Sequence, residues 1–135
     1  VSVLNCDYSL QMDQFEQNGK GFLQNYYNAL QNNKSVLAGC YTNDSFVTYN
    51  GQRMKGVVPI MEKLNSLPAI AGYNIASVEC QPTSNNGVIA VVDGELKLQG
   101  EEHALRFMEV FNLNFQSGGG QISNQIFSVS GGGAN

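Results

Sequence analysis

The stretch Leu105–Phe115, LRFMEVFNLNF, decides how the second half of the chain is read. Successive side chains of an extended strand point to opposite faces, so Leu105, Phe107, Phe111, Leu113 and Phe115 share one side. Glu109 interrupts that side. The other side shows Met108 and Val110 between Arg106 and Asn112, on a face that a lone antiparallel sheet would leave wet. Together with the two-sided run Val88-Ile89-Ala90-Val91-Val92, this predicts an outer face that meets another sheet or a second copy of the chain. A bulge that shifts the register by one residue is the simpler alternative.

Working outward, Tyr73 to Gln81, Gly87 to Leu98 and Gln121 to Val129 are also extended, separated by the turn material PTSNN, GEEH and SGGG. Before them the period is helical. Phe15, Phe22, Leu23, Tyr26, Tyr27 and Leu30 form one broad stripe in a long helix from about Ser9 to Leu30, with Gly19 and Gly21 as weak points. Ser35 to Tyr41 makes a second, short helix that brings Val36, Leu37 and Cys40 inward. Phe46 to Gly56, FVTYNGQRMKG, is a hairpin, because Asn-Gly accepts the positive φ that a primed two-residue turn demands. Val57, Ile60, Met61, Leu64 and Leu67 then share one face of a third helix, with Pro59 harmless in its first turn. Helices followed by a meander of strands predict an α+β fold with the helices segregated on one face of an antiparallel sheet. The chain divides into an N-terminal extension (1–11), one domain (12–130) and a Gly-rich tail (131–135).

At 135 residues there is room for one core and not two. Only 13% of residues are charged and the net charge is −4, so no basic stripe exists for nucleic acid. No apolar run approaches the roughly twenty residues that cross a bilayer. The three cysteines have no metal-ligand spacing, and no basic-then-apolar signal segment opens the chain, which predicts reduced thiols in a cytosolic or nuclear protein. One histidine, His103, argues against His-based nucleophiles and metal sites, and neither metal nor cofactor is expected.

The ordered set of motifs resembles the nuclear transport factor 2 family from about Phe15 to Val129. It comprises FLQNYYNAL in the first helix, then Leu37, Tyr41, Ser45, Thr48, Tyr49, Gly51 and Gly56. Ile60 to Pro68 is similar to the family's I-x-E-K-L-x-S-L-P, and Gln81-Pro82-Thr83, Gly94, Leu96, Phe107, Phe111, Asn124 and Phe127 follow. The resemblance implies a cone in which a strongly curved sheet wraps the helices around an apolar cavity, and a homodimer built on the outer sheet face. It also implies a non-enzymatic import carrier for the GDP form of the small GTPase Ran, found in cytoplasm and nucleus and enriched at the nuclear envelope. By the same resemblance Tyr49, Leu67 and Phe127 receive an aromatic side chain of Ran, and Glu101 or Glu102 meets its basic residues, Glu101 being preferred. Phe15 stands where the family carries an exposed tryptophan that binds Phe-Gly repeats of nucleoporins.

Asn50 departs from the pattern, standing where the family has a glutamate for Ran. An amide still accepts a hydrogen bond but lacks the charge assistance that makes such bonds roughly twice as strong. The same cone also serves ketosteroid isomerases and dehydratases, which place an aspartate or an Asp-His pair in the cavity. Asp93 and Glu109 are the acidic residues within apolar strands here. One of them could face the cavity, but each is expected at a strand edge or against Arg106 or Lys97. A nucleoporin-binding adaptor is the third class.

Overall fold

Helix α1 spans Ser2–Asn32 in the computed structural model, which describes residues 2–116 and 118–130, with side chains from Gln14 onward. The helix therefore starts before Ser9, and residues 2–11 continue it. The expected tail at 131–135 lies outside the described residues. Leu23, Tyr26, Tyr27 and Leu30 are the buried face of α1, as the three-and-four spacing requires. Gly19 proves to be a contact position: a Cβ there would lie 3.0 Å from Cys80 Sγ and 3.1 Å from Val88 Cγ1. Gly21 would meet nothing within 4 Å. Gly21→Ala is expected to add up to about 1 kcal/mol of stability through helix propensity alone, read as a higher urea midpoint. Gly19→Ala is expected to lower it.

Lys34–Cys40 form a 3-10 helix rather than an α-helix. With three residues per turn, Leu37 and Cys40 align and face inward, while Val36 falls off that ridge and is exposed. The expectation that Val36 points inward is corrected accordingly. Strands β1 (Tyr41–Tyr49) and β2 (Gln52–Lys55) form the hairpin, and helix α2 (Val57–Ser66) buries Ile60 and Leu64. The meander follows as β3 (Ile70–Thr83), β4 (Gly87–Leu98), β5 (Leu105–Asn114) and β6 (Gln121–Ser130).

The six strands make one sheet in the order β2-β1-β6-β5-β4-β3. It is mixed rather than antiparallel, because β6 joins the hairpin by running parallel to β1. The register of that junction shifts between Tyr41 and Phe46. Ser45, fully buried, fills the gap by accepting from Thr42 N–H at 2.8 Å and donating to the Ile122 carbonyl at 2.6 Å.

Phe107, Glu109, Phe111 and Leu113 are all buried, so the inward alternation of β5 runs unbroken, and the one-residue register shift at Asn112/Leu113 falls on the β6 side, where Ser123 is passed over. Tyr26 packs edge-on against Phe111 with ring centres 5.2 Å apart, fixing α1 on this face. On the opposite face Phe46, Ile89, Met108 and Ile126 are exposed. Val91, Val110 and Ile126 stand in register across three neighbouring strands there.

Candidate functional site

The hairpin turn builds the mouth of an apolar recess. Asn50 and Gly51 adopt φ of 51° and 87°, as the primed turn requires. Asn50 also ties the turn to β6: its N–H donates to the Phe127 carbonyl and its Oδ1 accepts from the Val129 N–H, both at 2.9 Å. This tether lays Tyr49 flat on Phe127, with ring centres 4.3 Å apart and planes inclined by 16°. Phe107 continues the stack below at 5.5 Å. Lys63, from α2, holds its Nζ 5.6 Å above the Tyr49 ring, close enough for cation–π attraction.

Tyr49, Asn50, Leu67 and Phe127, four of the residues singled out from the sequence, line a recess of about 130 Å³ with Leu98 and Leu105. Pockets for drug-sized ligands span about 300–1,000 Å³. This one is smaller, of the size of a single large side chain. Leu98 and Leu105 also bracket the β4–β5 turn that carries Glu101 and Glu102, so both carboxylates sit in the turn that leaves the recess wall. They are exposed, and Glu101 N–H donates to the Leu98 carbonyl at 3.2 Å. His103 Nε2 is 4.0 Å from Glu102 Oε1 with both side chains in water, a contact that adds little. Phe15 lies elsewhere, half-buried, in a groove beside Pro82, Thr83 and Val88.

Behind the recess is a polar cluster that only half showed in the sequence. Glu109 is buried and accepts from Tyr27 Oη at 2.8 Å and from Gln125 Nε2 at 2.6 Å, one bond to each carboxylate oxygen. Gln125 Nε2 also donates to Tyr26 Oη at 2.9 Å, while its Oε1 accepts from Tyr41 Oη at 2.6 Å. Tyr26 Oη then donates to Tyr41 Oη at 3.1 Å, which closes the ring of bonds with every donor used. Burial pushes the Glu109 carboxyl up to about 7, against the pull of the Gln125 and Tyr27 bonds. Burial first, then the Glu109 charge, also raises the Tyr49 phenol.

Glu109 thus corrects the expectation that it sits at an edge or against a cation: strand alternation puts it between Phe107 and Phe111. Asp93 does behave as expected, accepting from Arg106 at 3.0 Å on the outer face. Among the described residues no three His, Cys, Asp or Glu side chains gather where they would hold a metal ion. No helix there is long and apolar enough to cross a membrane.

The Nuclear transport factor 2 (NTF2) domain profile matches residues 18–129, from α1 to the end of β6. The chain belongs to this family. Nuclear transport factor 2B of Arabidopsis thaliana is 39% identical over 114 residues, covering 82% of this chain and 90% of that protein. Nuclear transport factor 2 of Saccharomyces cerevisiae is 33% identical over 118 residues, covering 86% and 94%. The solved structure of nuclear transport factor 2 from Cryptosporidium parvum superposes with a TM-score of 0.81 at 36% identity, covering 87% and 95%. Nuclear transport factor 2 family membership thus accounts for the α+β architecture, with the helices on one sheet face and the recess at one end.

Proposed function

We propose that this chain is a nuclear import carrier that binds the GDP form of Ran, using the Tyr49–Phe127 recess for an inserted aromatic side chain and Glu101, with Glu102, for basic neighbours of that side chain. The observation that carries the reading is the pairing of a side-chain-sized apolar recess with an acidic turn that starts from its wall. Relatives sharing about a third of their residues over most of this chain are named nuclear transport factors. Phe15, half-buried beside the groove at Pro82, supplies a ring for Phe-Gly repeats of nucleoporins, so that the carrier passes between cytoplasm and nucleus and concentrates at the nuclear envelope. The exposed apolar row on the outer sheet face is the homodimer surface.

The acidic residues within the strands stand apart from the recess. Both Glu109 oxygens are held by Tyr27 and Gln125, and Glu109 is not among the residues lining the recess. Asp93 faces outward with Arg106. The Asn50 oxygen is engaged by Val129, which leaves one of its lone pairs and the amide nitrogen for a partner, and no charge. Rim recognition therefore falls to the β4–β5 turn.

Titration calorimetry with Ran loaded with GDP or GTP tests the reading. Binding selective for GDP is expected, weakened about tenfold or more by Glu101→Lys, since reversing a rim charge adds repulsion to the lost attraction. Absence of binding in either nucleotide state defeats the proposal.

A further inference from the structure

We infer that Asn50–Gly51 is a self-modifying site, at which spontaneous deamidation turns the neutral mouth of the recess acidic. The chemistry needs only water. The Gly51 main-chain nitrogen, losing its proton, attacks Asn50 Cγ; the Cγ–Nδ2 bond breaks and ammonia leaves, giving a five-membered succinimide. Hydrolysis of that ring yields aspartate or isoaspartate at position 50. No electrons are transferred, and one water replaces one ammonia.

Asn-Gly occurs three times, at Asn18–Gly19, Asn50–Gly51 and Asn86–Gly87, and the structure separates them. Asn18–Gly19 is inside α1, where the peptide group that must rotate is held in the helix, and Gly19 packs against Cys80 and Val88. At Asn86 the main-chain carbonyl accepts from Phe115 N–H at 3.2 Å while Nδ2 donates to the Phe115 carbonyl at 3.2 Å. Both the peptide plane and the leaving amide are pinned there. Gly87 is further crowded, because a Cβ on it would meet the Leu113 carbonyl at 3.1 Å.

Asn50 differs on each count. It is exposed, its hydrogen bonds run through its own N–H and Oδ1, and the peptide joining it to Gly51 is the free centre of a two-residue turn. A Cβ on Gly51 would meet nothing within 4 Å, so the turn has room to move. The Val129 N–H, 2.9 Å from Oδ1, polarises Cγ and stands where negative charge develops on that oxygen during attack. The aspartate formed keeps one oxygen for Val129 and presents the other at the mouth, beside Tyr49.

Peptide mapping by mass spectrometry of the folded full chain, held at mildly alkaline pH and sampled over time, tests this. The mass gain of an amide-to-acid exchange is expected at Asn50 several-fold faster than at Asn86, with Asn18 last; in urea the three rates converge. Conversion first at Asn86 or Asn18, or none at Asn50 while the urea sample converts, overturns the assignment. The consequence for binding rests on the carrier reading: Asn50→Asp is expected to bind GDP-loaded Ran several-fold more tightly than the parent. If neither protein binds Ran, the carrier reading falls and the mapping result stands by itself.

Discussion

Unfolding free energy is expected to fall by about 3 kcal/mol as pH rises through the interval between 4.5 and about 7, and Glu109→Gln is expected to flatten that slope. An ordinary carboxyl releases its proton near 4.5, whereas burial keeps the Glu109 proton up to about 7. Within that interval the folded state binds more protons than the unfolded state, so raising pH favours unfolding. The stabilisation is complete below the lower value, is lost through the upper one, and gives no further slope beyond it. Urea midpoints at fixed protein concentration over this range measure the effect.

The slope, rather than the absolute stability, is diagnostic. A glutamine at 109 removes the charge, yet it can satisfy Gln125 Nε2 only by leaving the Tyr27 hydroxyl without an acceptor, at about 1–3 kcal/mol. Tyr27→Phe has the opposite signature. It deletes a donor that favours the charged form, so the upper end of the pH window moves higher and the slope persists. A flat profile in the parent protein would show that water or the surrounding dipoles stabilise the carboxylate more than its burial suggests.

The contrast between the hairpin turn and the polar cluster shows what was legible beforehand. Asn50–Gly51 announces its turn because the requirement for positive φ is local to two residues. The meander announces itself through a period of two. The parallel contact of β6 with β1 joins residues about eighty positions apart, and no local pattern encodes it. Ile70 enters β3 because Leu98 pairs with it, although Ala69 to Gly72 show no alternation. Glu109 was visible as an interruption of an apolar face, but Gln125 becomes its partner only through the β5–β6 register. At the recess, Tyr49, Leu67 and Phe127 were found by resemblance rather than by spacing. The capture of the Asn50 oxygen by Val129 needed the fold.

Ile126→Asp is expected to convert a dimer into a well-folded monomer. Ile126, Val110 and Val91 lie in register on three adjacent strands, with Met108 and Ile89 on neighbouring rows, and Ile126 is 51% exposed in the single chain. Its side chain contributes nothing to the core, so the substitution leaves Phe107, Phe111 and their partners in place. In a dimer closed over this face, however, the new carboxylate would be desolvated without a cation opposite it, and by two-fold symmetry the substitution enters twice. A penalty of about 4 kcal/mol weakens association about a thousandfold. Sedimentation velocity of parent and variant, with far-ultraviolet circular dichroism to verify folding, measures it. A monomeric parent at micromolar concentration would refute the dimer surface, and a variant that stays dimeric would move the interface to another face. If the dimer is as proposed, the variant separates two roles of the sheet: the inner face builds the recess within one chain, and the outer face brings a second Phe15 groove and a second recess into the same carrier.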